Sequence, residues 1–483
     1  MIFISKISFF IKKVFISKLF LIFLISFILR FYFVFNNYPF VFHPDEPTII
    51  NSTINLRYNL NPKHFDWPTT YYYLNYPLYG LFERGVGNLN RNIEDFNYVI
   101  KDIDYYVISR TLTAVLGSIN VLIIYLIIRA LGKDKPVAEL GAVIFSLFPF
   151  HISRSAIALT DVPMLLFASL AIFLLIKYIN TNSSAYLFIS CFFAGLSTST
   201  KYNGYMIFIS IFLVIFIIKG FKLKEWYTYL KCGVSSALGF LIGTPYSLLD
   251  YKTFFRADSP KGAVWQFQNV GSVDFISQVK GFFINFYNVS DLVGYIPLLF
   301  TIIFIFWYLY KKNFSSNENK IILIFIIQFL YIIWSVSGVE VQRAQHFILI
   351  LLFIPIFSIY FYEIFQKKFI VLFLIFLFST SYEILKNSVE NPAVSFYRNV
   401  RFANTLSTYN FRYNNKDMKT VLEYIGVESD NFSSKEFSIA NKDTHFISDI
   451  EICNSTVDCK LRLISKFDSI LKKDVIYLYE IKR

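Results

Sequence analysis

Long apolar runs, separated by short basic or longer polar segments, dominate the sequence. An apolar run of roughly 17 to 25 residues can cross a bilayer core of about 30 Å as a helix. We identify about eleven candidate spans by this pattern, of which the third and fifth are short. They lie near residues 15–35, 106–128, 136–150, 162–178, 185–199, 204–219, 232–248, 292–310, 320–336, 345–362 and 368–382. The pattern predicts an all-α polytopic membrane protein.

Lysine and arginine predict the orientation of these spans. If the N-terminus is cytoplasmic, each short basic connection falls on the cytoplasmic side, as the positive-inside rule requires. The opposite face then receives the polar segments 36–105 and 249–291, the short stretch "SGVEVQRAQH", and the tail. We therefore expect a transmembrane domain over residues 1–382 and an extracytoplasmic domain over residues 383–483.

The tail has a different pattern from the rest of the chain. It combines an amphipathic stretch, "NKDMKTVLEYIGV", with the β-rich ending "DVIYLYEIKR", which predicts a small α/β domain. Cys453 and Cys459 lie in this tail, where an oxidising compartment permits a disulfide, and the sequence favours neither the bridge nor free thiols. The other two cysteines, Cys191 and Cys232, lie in or beside spans and are expected to be inert apolar residues.

Composition agrees with a membrane location. The chain of 483 residues is 55% hydrophobic and 16% charged, with a mean hydropathy of +0.50, which is unlike a soluble domain. The net charge of +13 is assigned to cytoplasmic loops and not to nucleic-acid binding. The first 35 residues lack a small-residue cleavage site and are interpreted as a retained signal anchor. We expect a multi-pass protein of the cell (inner) membrane.

The stretch "FHPDEP" places two adjacent carboxylates, Asp45 and Glu46, between prolines in the first outer loop. Pro44 favours an extended residue before it and Pro47 suits the first turn of a helix. One interpretation is that both acids only complement a helix N-terminus. The other is that the two side chains, which point in different directions, serve separate roles toward a substrate and a basic partner.

Further polar residues are predicted at the same membrane face. Asp161 opens the fourth span in "ALTDVPMLLF", either as a helix cap or as a functional intramembrane acid. The aromatic segment "NPKHFDWPTTYYYLN" carries Lys63 and suits the membrane interface, although that reading leaves "FDWP" unexplained. Lys201, Arg343 and His346 lie at outer span ends. Each could merely extend toward the headgroups, but together with Lys63 they suit a lipid phosphate.

The order of these motifs resembles the C-type (GT-C) superfamily of membrane glycosyltransferases. Within the superfamily, the sequence is similar to glycosyltransferase family 39 and to the protein O-mannosyltransferase and lipid A aminoarabinose transferase group. The resemblance extends over about residues 15–360 and is carried by "FHPDEP", "NPKHFDWPTTYYYL", "ALTDVPMLLF", "GLSTSTKYNGY", "GTPYSLLD" and "QRAQHFILILLFIP". The chain departs from the family pattern at the single Pro68 of "FDWPTT" and at "QRAQHF".

The resemblance implies transfer of a sugar from a polyprenyl-phosphate carrier to a lipid, glycan or protein acceptor on the extracytoplasmic face, with inversion. It implies that Asp45 is the general base and that Glu46 assists or organises the site. Lys201 and Arg343 would bind the phosphate, supported by Lys63, Asp161 and His346. The resemblance implies no metal, although a divalent ion remains open because acidic residues and His43 are present.

Two other classes of function remain as alternatives. A transporter or flippase of a lipid-linked sugar would also span the membrane, but such proteins show internal repeats and midplane charges, and no such repeat is visible. A noncatalytic scaffold would use the tail to bind a partner. A nucleotide-sugar donor is disfavoured because the sequence has no glycine-rich phosphate loop.

Overall fold

A computed structural model describes residues 18–35, 43, 45–93, 98–220, 222, 225–311 and 316–365, together with five strands in the tail. α-Helices span Lys18–Val34, Glu46–Asn55, Thr70–Asn92, Asp102–Ala130, Lys135–Ser146, Pro149–Ser155, Asp161–Thr181, Ser184–Thr198, Phe208–Lys219, Trp226–Gly243, Tyr246–Leu249, Tyr251–Phe254, Ala263–Val270, Phe275–Val293, Tyr295–Lys311, Asn317–Ser337 and Ile354–Phe365. Two 3₁₀ helices span Tyr202–Ile207 and Ala344–Leu352.

Helices occupy the first ten predicted spans, and the eleventh, residues 368–382, lies outside the described residues. By length and apolar composition, four helices in the described part of the chain can cross a membrane, or up to six if each of two bent pairs forms one span. The protein is therefore helical with several apolar helices, and the number eleven stays a prediction.

Two pairs of helices are bent: the predicted span 345–362 covers the second pair, whereas the predicted span 136–150 ends at the beginning of the second helix of the first pair. The helices Lys135–Ser146 and Pro149–Ser155 meet at 65°, and Ala344–Leu352 meets Ile354–Phe365 at about 46°. Pro149 explains the first break, because proline has no N–H to donate and restricts the residue before it. The consequence is that the short Pro149–Ser155 helix turns away from the axis of its predecessor.

Glycines allow the helices Ser184–Thr198 and Trp226–Gly243 to pack backbone against backbone. A Cβ added at Gly195 would lie 1.9 Å from the Ser236 carbonyl oxygen, and one added at Gly239 would lie 2.0 Å from the Phe192 carbonyl oxygen. Small residues allow such close approach in membrane helices. The C-terminal ends of these two helices therefore lie together.

The outer polar segments contact one another. The Phe65 N–H donates to the Lys261 carbonyl oxygen at 2.7 Å, and the Asn61 side-chain amide donates to Asp250 Oδ2 at 2.7 Å. The first loop also carries the Glu46–Asn55 helix, close to the start predicted from Pro47. Hydrogen bonds thus join the segments 36–105 and 249–291, which are both predicted to be outer loops.

The described part of the tail is an antiparallel sheet of five strands. The strands are β1 (Phe411–Arg412), β2 (Phe437–Ala440), β3 (His445–Ser448), β4 (Leu461–Asp468) and β5 (Val475–Ile481). Their order in the sheet is β1-β2-β3-β5-β4. The predicted β-rich ending coincides with the last strand. The amphipathic stretch and Cys453 and Cys459 lie outside the described residues, so the α/β assignment and the disulfide stay predictions.

Candidate functional site

A cavity of about 210 Å³ lies among the first outer loop, the second outer loop and the ends of several helices. Five of the seven residues proposed from sequence line it, namely Asp45, Asp161, Lys201, Arg343 and His346. Leu159, Thr160, Tyr202, Tyr205 and Met206 are among its other lining residues, together with Asp66, Trp67, Asn203 and Gln266. Glu46 and Lys63 are not among them.

Asp45 occupies the N-cap position of the Glu46–Asn55 helix but does not cap it. Its backbone is helical (φ −90°, ψ −13°), and its carboxylate makes no capping hydrogen bond. The His43 ring lies beside this carboxylate, with Nδ1 at 3.6 Å from Oδ2. His43 Nδ1 also accepts the Asp45 N–H at 3.2 Å. The carboxylate is 33% exposed and lines the cavity.

Glu46 has the opposite environment. Its side chain is completely buried and forms a two-point ion pair with Arg110, with Nε and Nη2 donating to the two carboxylate oxygens at 2.8 Å each. The Ala158 N–H and the His43 N–H donate to the same carboxylate, each at 2.9 Å. Glu46 thus joins the first outer loop to the helix Asp102–Ala130 and to the segment before Asp161.

These contacts control the charge of Glu46. Burial alone raises the pKa of Glu46, because it disfavours the ionised form, but the Arg110 charge and the donated hydrogen bonds together hold the pKa below its ordinary value. The carboxylate is therefore ionised and fully occupied by protein donors. Glu46 does not line the cavity, so its contacts fit the organising role that the resemblance implied as one of two alternatives, and that role stays a prediction.

Asp161 lies at the start of its helix and is held by two cations. Lys201 Nζ donates to Asp161 Oδ1 at 2.5 Å, and Arg154 Nη1 lies 3.9 Å from Oδ2. The N-cap of the helix is Thr160. Because the carboxylate is buried and the cations exceed it in number, the group brings net positive charge to the cavity edge.

Arg154 was not among the residues proposed from sequence. It lies on the Pro149–Ser155 helix, its guanidinium is nearly buried, and Nη2 donates to Gln345 Oε1 at 3.1 Å. The bend before Pro149 turns this helix toward Asp161. The sequence offered one signal, a cation in "HISRSA" shortly before "ALTD", but a span pattern alone does not show where a broken helix turns.

Arg343 and His346 also line the cavity. Arg343 is exposed and precedes the 3₁₀ helix Ala344–Leu352, and the His346 N–H donates to its carbonyl oxygen at 2.9 Å. Lys63 lies elsewhere, in an exposed turn with φ of 52°, where its N–H donates to Asn61 Oδ1. Lys63 is not among the residues that line the cavity, and its contact with a substrate stays a prediction.

No group of three or more His, Cys, Asp or Glu side chains in the described ranges is arranged to hold a metal ion. The acids of the cavity are instead paired with nitrogen groups, as at Asp161. The lining of the cavity thus combines three carboxylates, Asp45, Asp66 and Asp161, with the cations Lys201 and Arg343.

Comparisons with known proteins agree with the resemblance seen in the sequence. Residues 106–243 match the family model described as dolichyl-phosphate-mannose-protein mannosyltransferase. No curated protein matches the sequence. The family match bears out the predicted resemblance to C-type membrane glycosyltransferases.

Several solved structures match this chain at low sequence identity. The structure of ArnT from Cupriavidus metallidurans bound to undecaprenyl phosphate has a TM-score of 0.50 and 13% identity, covering 71% of this chain and 59% of that one. The Archaeoglobus fulgidus oligosaccharyltransferase with a tethered acceptor peptide gives a TM-score of 0.47 and 12% identity, with coverages of 85% and 57%.

The S. cerevisiae protein O-mannosyltransferase Pmt1-Pmt2 complex bound to its sugar donor gives a TM-score of 0.35 and 20% identity, covering 49% of this chain and 33% of that one. The chain thus spans less than two thirds of the length of these relatives. The likeness to ArnT supports a shared fold of the membrane part.

Proposed function

We propose that this membrane protein is a C-type glycosyltransferase that moves a sugar from a polyprenyl-phosphate carrier to a lipid, glycan or protein acceptor. The single observation that carries the proposal is the cavity whose lining brings the Asp45 carboxylate together with Lys201 and Arg343. The undecaprenyl phosphate bound to the similarly folded ArnT supports a carrier of this class.

The proposed reaction is one displacement. The acceptor hydroxyl transfers its proton to the Asp45 carboxylate as its oxygen forms a bond to the anomeric carbon of the sugar. The bond between that carbon and the phosphate oxygen breaks, and the carrier phosphate leaves with the electron pair. A single displacement inverts the anomeric carbon. A positioned base accelerates such a step by about 10²- to 10⁴-fold.

The cations have a separate duty in this proposal. The leaving phosphate gains negative charge as the bond breaks, and positioned cations stabilise that charge best in a site that excludes water. Lys201 and Arg343 line the cavity, and Arg154 adds a third cation behind Asp161. Asp161 orients Lys201 and Arg154, so its contribution is to positioning.

Glu46 and Arg110 position the base. Because the buried ion pair anchors the residue directly after Asp45, it fixes the start of the Glu46–Asn55 helix. We propose that the site faces the extracytoplasmic side of the cell membrane, with the N-terminus cytoplasmic and the tail, residues 383–483, extracytoplasmic.

The test compares wild type, Asp45→Asn and the matched control Asp258→Asn, an exposed outer-loop acid away from the cavity. Membranes receive radiolabelled polyprenyl-phosphate sugars, and transfer to endogenous acceptor is measured. We expect transfer by wild type and Asp258→Asn but not by Asp45→Asn. Equal transfer by all three removes Asp45 as the base.

A second experiment distinguishes the transporter alternative. Proteoliposomes that hold labelled donor in one leaflet report its movement to the other leaflet without any acceptor. Movement that depends on the protein, together with no transfer to any acceptor, would favour a flippase over the glycosyltransferase.

A further inference from the structure

The segment "FDWPTT" has an anchored backbone and two side chains that face the cavity. Tyr202 Oη donates to the Phe65 carbonyl oxygen at 2.6 Å, and the Phe65 side chain is fully buried. At the other end, the Thr70 N–H donates to the Ser199 carbonyl oxygen at 3.2 Å. Asp66 and Trp67 lie between these anchors and line the cavity.

The C-terminal anchor is strong because it reaches two helix ends. Thr69 Oγ1 donates to the Gly243 carbonyl oxygen at 2.9 Å, and Thr70 Oγ1 donates to the Ser199 carbonyl oxygen at 2.8 Å. These carbonyls end the two helices that pack through glycines. Asp66 and Trp67 are thus presented by a rigid scaffold, and rigid presentation lowers the entropy lost on binding.

The part of the cavity lining around Asp66 and Trp67 contains polar side-chain atoms that make no hydrogen bond among the described residues. Asp66 Oδ1 accepts the Trp67 N–H at 2.8 Å and contacts His64 Nδ1, whereas Oδ2 accepts no hydrogen bond from the described residues. The half-buried side-chain amides of Asn203 and Gln266 also line the cavity. Neither makes a hydrogen bond within the part of the chain that the structure describes.

Aromatic rings lie in the same part of the cavity lining. Trp67, Tyr202 and Phe267 line the cavity, with the Tyr202 and Phe267 ring centroids 5.0 Å apart. An amide offers both donors and acceptors, and a carboxylate offers acceptors. A sugar presents hydroxyls that donate and accept at its edge and C–H groups on its faces, which matches amides and a carboxylate beside rings.

We propose that Asp66, Trp67, Asn203 and Gln266 form the subsite that binds the sugar ring of the donor, separate from the cations that bind its phosphate. This inference rests on the proposed function and adds the residues that select the sugar. Because His64 already contacts Asp66 Oδ1, a single Asp66 oxygen stays open beside two uncharged amides, and the subsite therefore favours a sugar with free hydroxyls over one with an ammonium group.

The experiment measures binding without requiring transfer. Purified full-length protein is titrated with a polyprenyl-phosphate hexose and with the same polyprenyl phosphate lacking the sugar, and the ratio of the two dissociation constants reports the sugar's contribution. The variants are Gln266→Leu and Trp67→Leu. The matched control is Gln268→Leu, an exposed glutamine on the same Ala263–Val270 helix that does not line the cavity.

We expect the wild type and Gln268→Leu to bind the hexose donor about tenfold more tightly than the bare carrier, a difference of about 1.4 kcal/mol. Gln266→Leu and Trp67→Leu should reduce this ratio to about one. Their affinity for the bare carrier should stay within about twofold of the wild-type value. An amino-sugar donor should bind no more tightly than the hexose donor.

Two results overturn the subsite. One is a ratio that Gln266→Leu and Trp67→Leu leave unchanged, and the other is preferential binding of the amino-sugar donor. Sugar transfer by wild type together with either result refutes the subsite and leaves the proposed function standing. Ratio changes as expected, without transfer to any acceptor, refute the proposed function and leave the subsite standing.

Discussion

At the residue scale, the adjacent acids Asp45 and Glu46 have divided roles. Glu46 satisfies a buried guanidinium, whereas Asp45 keeps a partly exposed carboxylate toward the cavity. The sequence predicted that neighbouring side chains would point in different directions, but not which acid would be buried. That assignment depends on Arg110, which is 64 residues away in the chain.

The buried pair predicts a dependence on both partners. Glu46→Gln removes one charge and leaves Arg110 buried and unpaired, which costs about 3–5 kcal/mol. The double variant Glu46→Gln with Arg110→Gln removes both charges and should be more stable than Glu46→Gln alone. Thermal unfolding of detergent-purified protein measures this, and an additive loss in the double variant would contradict the interpretation.

The lowered pKa of Glu46 predicts the direction of an acid effect. Because the folded-state pKa lies below the ordinary value of 4.5, the stabilisation is fully present above pH 4.5 and is lost as the pH falls through the lower folded-state pKa. Unfolding temperature measured from pH 7 to pH 3 should therefore fall at the acid end. Glu46→Gln should remove the part of this decline that Glu46 causes. The same pH dependence of the unfolding temperature in wild type and Glu46→Gln would contradict the prediction.

At the element scale, contacts between distant segments build the site. The sequence predicted most helix positions because apolar periodicity is local. It did not predict that Pro149 would turn the helix carrying Arg154 toward Asp161, or that Thr70 would bond to Ser199. These are long-range pairings, and no single window of sequence contains both partners.

The glycine contact gives a prediction at this scale. Gly195→Ala places a methyl group against the Ser236 carbonyl oxygen, so the helices Ser184–Thr198 and Trp226–Gly243 must separate, at a cost of about 1–3 kcal/mol. The matched control is Gly233→Ala, where an added Cβ meets nothing within 4 Å. Unfolding temperature should fall for the first variant only, and an equal effect of both would contradict the close contact.

At the scale of the whole molecule, charged groups mark opposite ends of the helices. Lys133 Nζ lies 2.8 Å from Glu318 Oε1 and 2.7 Å from Glu363 Oε2, joining three elements away from the cavity. The positive-inside pattern predicts that this cluster is cytoplasmic. The cavity and the outer loops then face the opposite side.

This orientation is tested by labelling introduced cysteines in a background with the four natural cysteines replaced by serine. A membrane-impermeant maleimide should label Asp258→Cys in intact cells and Lys135→Cys only after permeabilisation. Both positions carry exposed side chains, so access depends on the membrane and not on burial. The reverse pattern would contradict the predicted topology.

The most direct test of the central claim compares transfer with donor binding in purified Asp45→Asn protein. If Asp45 is the general base, the transfer rate should fall at least 100-fold, in line with the roughly 10²- to 10⁴-fold contribution of such a base, while the donor dissociation constant stays near the wild-type value. A transfer rate equal to that of wild type at saturating donor and acceptor would contradict the account.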